Sequence, residues 1–398
     1  MIDLFQIKGA LRSAARRTKE TMTNARNAVF MPLWRRQARA RRDRMTGEYF
    51  VVMGSSGKST ATMLCQALFD AQRPTGVGMY YNNERMVLRH MRQWTRKVDI
   101  FIQELSEYPM GTIAAVAATM EPRGALVTSI GLDHRSTFRT HESILEQMVP
   151  LVRQLPPYGF LCLNADDPSV RMLAASASGR VILFGEAKDA DLRLERIKST
   201  LAARLSFDLV EGGRRTRVQT RFLGRLLLPS IGGALAMVRA AGLDLDAAIA
   251  RLAAIEPLPN RMGIYEGEGG HTYVVDTYKS PLWSTRLLID DIPNITSSDR
   301  ILILGDISDM AGDKGKKYRQ LIRQAADNCT LVIATGSAAV AAEVLLRTEP
   351  ARANLLVEPT LSGAFAKLKG LSPAVIVVKG DGLRPPPGSR RLGAENGQ

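Results

Sequence analysis

The chain has 398 residues, of which 45% are hydrophobic and 23% are charged, the balance of a globular protein with two or three domains. Three isolated cysteines exclude a disulfide scaffold and a zinc ribbon, and they predict a reduced, cytoplasmic protein. No uncharged apolar run reaches the roughly 18 residues of a membrane span. The net charge of +15 is uneven, because residues 1–48 carry twelve basic residues against four acidic ones.

Residues 1–47 are predicted to form a basic helical arm. Apolar residues recur every three or four positions from Leu4 to Val29, which is typical of an amphipathic helix. Pro32 is expected to end this helix, and a second basic helix is predicted from Trp34 to Met45.

Two interpretations of the arm stay open. It packs on the next domain with its arginines solvated, or it lies on an anionic membrane surface or grips an anionic partner, which would make the protein peripheral at the membrane. Nucleic acid is a weaker third interpretation, because no recognisable binding module accompanies the charge.

The remainder of the chain is predicted to be α/β. Strand and helix signals alternate over residues 48–258, which predicts βαβ units and a mainly parallel sheet, with a small antiparallel patch at 191–222. A Pro-rich joint at 256–260 separates this part from a second, Rossmann-like α/β domain at 259–384. The tail at 385–398 is expected to be disordered.

The strongest chemical signal is a strand, a glycine turn and a helix with the sequence VVMGSSGKST at residues 51–60. Backbone N–H groups of such a turn cradle phosphate oxygens at the helix N-terminus, the lysine adds a charge on the outer phosphates, and the serine hydroxyl binds Mg²⁺. The full phosphate-loop pattern has glycine where Val52 stands. The central domain is therefore predicted to be a P-loop ATPase domain that binds nucleotide through Gly54, Ser55, Ser56, Gly57, Lys58, Ser59 and Thr60.

This loop resembles the nucleotide loop of the Mur ligase superfamily, which are ATP-dependent amide-forming ligases, and it is most similar to the type that adds D-alanyl-D-alanine. Further segments resemble the family in the right order over residues 48–384, at 81–83, 103–106, 128–134, 163–168, 275–281 and 304–310. The resemblance implies Lys58, Glu104 and His134 as catalytic residues, and Ser59, Glu104 and His134 as ligands of two Mg²⁺ ions. It also implies further nucleotide contacts from Asn83, Arg261, Asp276 and Tyr278.

Each of these residues also has a plain structural interpretation. Glu104 would be a solvated carboxylate at a strand end, and His134 a satisfied surface histidine. Asp276 and Asp306 would cap the helices that follow their strands.

The reaction implied by the resemblance joins two small molecules. ATP would phosphorylate a substrate carboxylate, and an amino acid or another amine would attack the acyl phosphate to give an amide, ADP and phosphate. No counterpart of the family's UDP-binding domain precedes residue 48, which argues against a UDP-muramoyl substrate.

One departure from the family leaves a second function open. Met148 stands where the family has a carbamylated lysine that holds the second metal, and methionine cannot carry a carbamate. Glu146 or Gln147 would have to rebuild that metal site. The alternative is a nucleotide-binding protein that has lost ligation and acts as a scaffold or regulator.

Overall fold

The computed structural model describes residues 30–95, 98–131, 138, 140–308, 310 and 312–392. Two α/β units follow one another along this part of the chain, each built on its own sheet. A helix at residues 30–42, here α1, precedes the first unit. The α/β fold class predicted from the sequence is confirmed, whereas the domain bounds at 48–258 and 259–384 stay predictions.

The first unit is built on a mostly parallel sheet. Its strands are β1 (Glu48–Met53), β2 (Thr75–Gly78), β3 (Ile100–Glu104), β4 (Gly124–Val127), β5 (Phe160–Asn164), β6 (Arg180–Gly185), β7 (Leu192–Thr200), β8 (Arg204–Glu211) and β9 (Arg214–Gln219). Among the described residues the order across the sheet is β2-β3-β1-β4-β5-β6-β7-β8-β9. Neighbouring strands are parallel as far as β7, and β7, β8 and β9 are antiparallel.

Helices cover both faces of this sheet, so the alternating side chains of β1 are buried on either side. These helices are α2 (Lys58–Asp70), α3 (Glu84–Met91), α4 (Thr112–Met120), α5 (His141–Gln154), α6 (Pro168–Arg171), α7 (Leu228–Ala240) and α8 (Leu245–Leu252). Phe50 and Val52 belong to the core formed with α2 and α7, whereas Val51 and Met53 belong to the core formed with α3, α4 and α5.

The second unit repeats this architecture on a smaller scale. Its strands are β10 (Gly263–Glu266), β11 (Thr272–Asp276), β12 (Arg300–Leu304), β13 (Leu331–Ala334), β14 (Leu355–Val357), β15 (Val375–Lys379) and β16 (Arg390–Arg391). Its helices are α9 (Leu282–Ile295), α10 (Lys314–Asn328), α11 (Gly336–Thr348) and α12 (Leu361–Ala366). The described strands run in the order β14-β13-β12-β15-β11-β10-β16, and only the pairings of β10 are antiparallel.

The described part of the arm packs on the first unit. Ala38 of α1 is fully buried, the Arg35 Nε lies 2.6 Å from Glu84 Oε1, and the Arg42 Nη1 lies 2.7 Å from Glu121 Oε1. These contacts support the packed interpretation for residues 30–42. The predicted boundary is wrong, because residues 30–42 are helical and Pro32 lies inside that helix. The predicted helix from Leu4 to Val29 lies outside the described residues.

The C-terminal tail also differs from its prediction. Arg390 and Arg391 pair with Glu266 and Tyr265 at the edge of the second sheet, and the Leu392 N–H donates to Ile264 O at 2.9 Å. The prediction of disorder is therefore wrong for residues 390–392. The open edge of the sheet supplies backbone hydrogen-bond partners for this segment, and the Pro- and Gly-rich composition of the tail does not reveal them. Residues 393–398 lie outside the described part.

No helix in the described residues is long and apolar enough to cross a membrane. The three cysteines, Cys65, Cys162 and Cys329, are buried and free, as the sequence predicted. Burial raises the pKa of the Cys329 thiol to about 12.

Three arginines surround one buried carboxylate in the antiparallel part of the first sheet. Asp208 on β8 accepts hydrogen bonds from Arg196 Nε at 2.6 Å and from Arg215 and Arg217 at 3.1 Å each, and its side chain is 1% exposed. The hydrogen bonds, that of Arg196 above all, lower the pKa of Asp208 to about 2. The folded state is therefore stabilised by the ionised carboxylate.

We predict that Asp208→Asn lowers the free energy of unfolding at pH 7, because an amide does not balance three guanidinium groups. The pKa of Asp208 is depressed on folding, so its contribution is complete above about pH 4 and is lost as the pH falls toward the folded value. Urea unfolding at several pH values checks this. Asp246→Asn, which removes an exposed partner of Arg214, is the control and should have a smaller effect. A gap between wild type and Asp208→Asn that does not narrow on acidification would contradict the prediction.

Candidate functional site

The phosphate loop lies between β1 and α2, as the sequence predicted. Ser55 N–H donates to Ser129 O at 2.8 Å, and Ser56 N–H donates to the Ser129 hydroxyl at 3.1 Å. The Thr128 hydroxyl in turn donates to Ser56 O at 2.6 Å. The segment that follows β4 therefore fixes the backbone of the phosphate loop through these hydrogen bonds.

Two glycines make this loop possible. Gly54 has a φ of 132° and Gly57 has a φ of 78°. Residues that carry a Cβ rarely adopt such positive values. A Cβ on Gly54 would lie 2.3 Å from Thr128 Oγ1, and one on Gly57 would lie 2.4 Å from Ser230 Oγ. The loop thus needs glycine at both positions for its backbone angles and for its close packing.

Lys58 is the first residue of α2 and bends back over the loop. Its Nζ donates to Gly54 O at 2.5 Å and lies 3.8 Å from Glu107 Oε2. The lysine and the loop line one wall of a cavity of about 750 Å³. Of the predicted loop residues, those that line this cavity are Ser55, Ser56, Gly57, Lys58, Ser59 and Thr60.

Two further predicted residues reach the same cavity from the first unit. Glu104, the last residue of β3, is 2% exposed and accepts long hydrogen bonds from Tyr80 N–H at 3.4 Å and Asn82 Nδ2 at 3.3 Å. Asn83 lines the cavity as well, and its Oδ1 caps α3 by accepting from Met86 N–H at 3.1 Å. Glu104 is therefore a buried carboxylate rather than a solvated strand end.

The second unit contributes the opposite wall through Arg261, Asp276 and Tyr278. Arg261 Nη2 donates to Ser59 Oγ at 3.1 Å, and its guanidinium carbon lies 3.9 Å from the centroid of the Tyr278 ring. The Tyr278 ring lies 6.0 Å from that of Tyr80. One arginine thus connects the helix after the phosphate loop to the second unit.

The strand-end carboxylates of the second unit have different partners. Asp276 Oδ2 accepts from Lys379 Nζ at 2.5 Å, so it is paired across two neighbouring strands and does not cap a helix. Asp306 Oδ1 accepts from Ser337 N–H at 2.9 Å at the start of α11. The capping interpretation therefore describes Asp306, although the helix that it caps is not the next one in the chain.

The structure describes only part of the predicted second metal site. His134 lies outside the described residues. Met148 on α5 is fully buried among apolar side chains, Glu146 is exposed, and Gln147 Oε1 accepts from Gly111 N–H at 2.9 Å. Among the residues that the structure describes, no three His, Cys, Asp or Glu side chains are grouped to hold a metal.

Sequence reasoning missed two charged residues at the site. Lys379 was not singled out, yet its side chain is 1% exposed and its ammonium neutralises Asp276. Glu107 was not singled out, yet it is the acidic neighbour of Lys58. Lys379 could have been found from its place at the end of an apolar strand. Glu107 sits in a loop, and its spacing gave no signal.

A second cavity of about 490 Å³ adjoins the first. Both cavities are lined by Ser56, Gly57, Leu226 and Ser284. The phosphate loop therefore borders a cavity on each of two sides. Trp283, Leu287 and Leu228 give the second cavity an apolar wall.

The family of the chain follows from a comparison with known proteins. Residues 52–238 match the family described as the Mur ligase middle domain. This middle part of the chain is similar to the Mur ligase superfamily. The resemblance read from the loop and the segments after it is thereby confirmed.

Curated relatives within the superfamily are ligases by name. The chain is 26% identical over 234 residues to the UDP-N-acetylmuramoyl-tripeptide--D-alanyl-D-alanine ligase of Mycobacterium tuberculosis, which covers 58% of this chain and 45% of the relative. It is 26% identical over 277 residues to the UDP-N-acetylmuramate--L-alanine ligase of Clavibacter sepedonicus, covering 68% and 56%. The chain spans about half the length of the curated relatives it matches.

Solved Mur ligase structures share the fold. MurF from Acinetobacter baumannii superposes with a TM-score of 0.76 at 18% identity, over 87% of this chain and 77% of that one. MurF from Thermotoga maritima, solved in complex with ADP, gives 0.75 at 17% identity, over 88% and 80%. At such identities the likeness shows the fold of both α/β units.

We predict that Gly54→Ala destabilises the protein by about 2 kcal/mol, since the new methyl group meets Thr128 Oγ1 and the backbone angle is unfavourable. Gly212→Ala is the matched control, because Gly212 also has a positive φ but nothing lies within 4 Å of its added Cβ. That control should cost about 1 kcal/mol. Urea unfolding of both variants checks the difference, and equal losses would contradict the tight fit of the loop.

Proposed function

We propose that this chain is an ATP-dependent ligase that joins a carboxylate substrate to an amino acid or another amine. One observation carries the proposal: a phosphate loop, a buried strand-end carboxylate and an arginine from the second unit line a single cavity. Phosphoryl transfer needs converging groups of this kind, because charge on the moving phosphoryl group must be neutralised. Similarity to the Mur ligase middle domain supports the same class of reaction, since the matched relatives are named as ligases.

The nucleotide phosphates would bind at the loop and the N-terminus of α2. The N–H groups of the first turn of α2 would donate to phosphate oxygens, and Lys58 would add a positive charge beside the outer phosphates. Arg261 reaches the same helix from the second unit through Ser59. We propose that Arg261 and Tyr278 bring the second unit onto the nucleotide, with the joint at 256–260 as the place where the units close.

The residues present also fit Mg²⁺. Ser59 and Glu104 offer a hydroxyl and a carboxylate oxygen in one cavity, which are the hard donors that Mg²⁺ prefers. Among the described residues Glu104 accepts two long hydrogen bonds, which leaves further lone pairs on its oxygens for a metal. We propose these two as ligands of one Mg²⁺, which when bound would supply positive charge against phosphate oxygens. His134 as ligand of a second ion stays a prediction.

In the proposed reaction the terminal phosphate of ATP passes to the substrate carboxylate, and the amine then displaces phosphate from the acyl phosphate. Lys58 and the loop hold the phosphates and the leaving ADP, and the cavity offers room for a carboxylate beside them. A cytoplasmic location fits this proposal, because the reaction consumes ATP.

Met148 supports a second candidate function. A methionine fully buried in the core between β1 and α5 offers no charge to a metal, and the exposed Glu146 does not turn toward the core. The alternative is a protein that binds nucleotide without ligation and acts as a scaffold or regulator. Its signature is nucleotide binding with no turnover that depends on substrates.

We predict that Mg·ATP gives ADP release only when one carboxylate and one amine are present together. The screen begins with pools of carboxylates and amino acids. Each pool that gives ADP release is then divided until one carboxylate and one amine are identified as the substrates. Lys58→Ala should reduce this release by at least about a hundredfold, because the charge on the outer phosphates is lost. Lys316→Ala on α10, an exposed lysine, is the matched control and should behave as wild type. Tight ATP binding without any such turnover would favour the scaffold instead.

For the arm we propose an anionic membrane surface or anionic partner as the target of residues 1–29. Because residues 30–42 pack on the first unit, removing them would damage the fold, so deletion of residues 1–29 is the appropriate test. This deletion should weaken binding to vesicles of phosphatidylserine and phosphatidylcholine by about tenfold or more at low salt, since each basic residue near such a surface contributes about 1 kcal/mol. Unchanged vesicle binding by sedimentation would refute the membrane surface as the target.

A further inference from the structure

Glu107 is a buried carboxylate that the proposed chemistry does not use. It lies in the loop between β3 and α4, three residues after Glu104, and its side chain is fully buried. Neither of its carboxylate oxygens accepts a hydrogen bond from any described residue. Its one ion-pair partner among those residues is Lys58, whose Nζ lies 3.8 Å from Oε2.

This arrangement is costly for the fold. A buried carboxylate is normally paired and hydrogen-bonded, because removing it from water without partners is unfavourable. The nearby Ser106 hydroxyl accepts from Tyr108 N–H at 3.2 Å, and it gives no hydrogen bond to either oxygen of Glu107. A costly group that faces the phosphate-loop lysine is therefore better explained by an action on that lysine than by stability.

The contacts of Lys58 show what that action is. Its ammonium has three N–H donors, one of which is given to Gly54 O at 2.5 Å, while the carboxylate of Glu107 lies on another side. Lys58 lines the cavity, whereas Glu107 does not. Glu107 therefore acts from behind the lysine and is not placed to touch a nucleotide or a metal in the cavity.

We propose that Glu107 is a positioning residue for Lys58 and that its negative charge weakens the hold of the loop on nucleotide phosphates. This inference rests on the proposed nucleotide site. The carboxylate fixes the ammonium between Gly54 O and the cavity, and it also offsets part of the positive charge that the phosphates meet. A ligase that must release ADP after each turnover benefits from a loop that orients phosphate without retaining it.

The test measures binding of Mg·ADP by calorimetry for wild type, Glu107→Gln and Glu107→Asp. Removing the negative charge 3.8 Å from the Lys58 ammonium should tighten binding about five- to tenfold in Glu107→Gln. Glu107→Asp keeps the charge and should bind as wild type. Glu107→Met provides a second neutral variant, because its apolar side chain does not leave a buried amide without partners.

Two further measurements separate positioning from a structural role. In a Lys58→Met background, Glu107→Gln should lose most of its effect, because the two residues act as a pair. The thermal midpoint of Glu107→Gln should equal or exceed that of wild type, since a poorly paired buried charge is removed. Asp208→Asn is the control for a destabilised fold, and it should lower the midpoint without tightening Mg·ADP binding.

The outcomes are distinct. Weaker or unchanged binding in both neutral variants, with Lys58-dependent binding in wild type, would overturn this role of Glu107 and leave the proposed function standing. A lower thermal midpoint together with weaker binding would make Glu107 structural. If wild type binds no Mg·ADP, the proposed function fails and the role of Glu107 fails with it.

Discussion

The hydrogen bonds between the phosphate loop and the segment after β4 are the constraint on which the rest of the site depends. Thr128 and Ser129 fix the loop backbone from below, and only glycine at positions 54 and 57 lets that backbone come so close. Because the loop is fixed, α2 begins at Lys58, and its first three residues line the cavity. The residues that meet there come from β3, from α2 and from the second unit, and all are placed relative to this turn.

The sequence predicted most of the fold because its elements are locally encoded. The apolar run before Gly54 and the helix after Lys58 were visible as patterns, and so were the antiparallel strands around Asp208. Short edge elements were missed, since β2 contains two glycines in four residues and β16 has only two residues. Such strands exist because a neighbouring edge offers backbone partners, which is a property of the folded sheet and not of the segment.

The site was less predictable for a similar reason. Lys58 and Ser59 belong to a contiguous motif, whereas the pairing of Asp276 with Lys379 joins residues 103 positions apart in the chain. The stacking of Arg261 on Tyr278 also depends on how the joint at 256–260 turns. Glu107 differs again, because its carboxylate accepts no hydrogen bond from the part of the chain that the structure describes, and a missing contact leaves no trace in a sequence.

Helix α1 places the described end of the basic arm beside the cavity. Met31 lines the cavity, and Arg35 on the same helix binds Glu84, another residue of the cavity wall. The helix is thus part of the rim, and no flexible spacer lies between residue 30 and the entrance. Residues 1–29 therefore join the described chain at the entrance of the cavity, so a surface bound by that segment, as proposed, would be tethered beside the proposed reaction site.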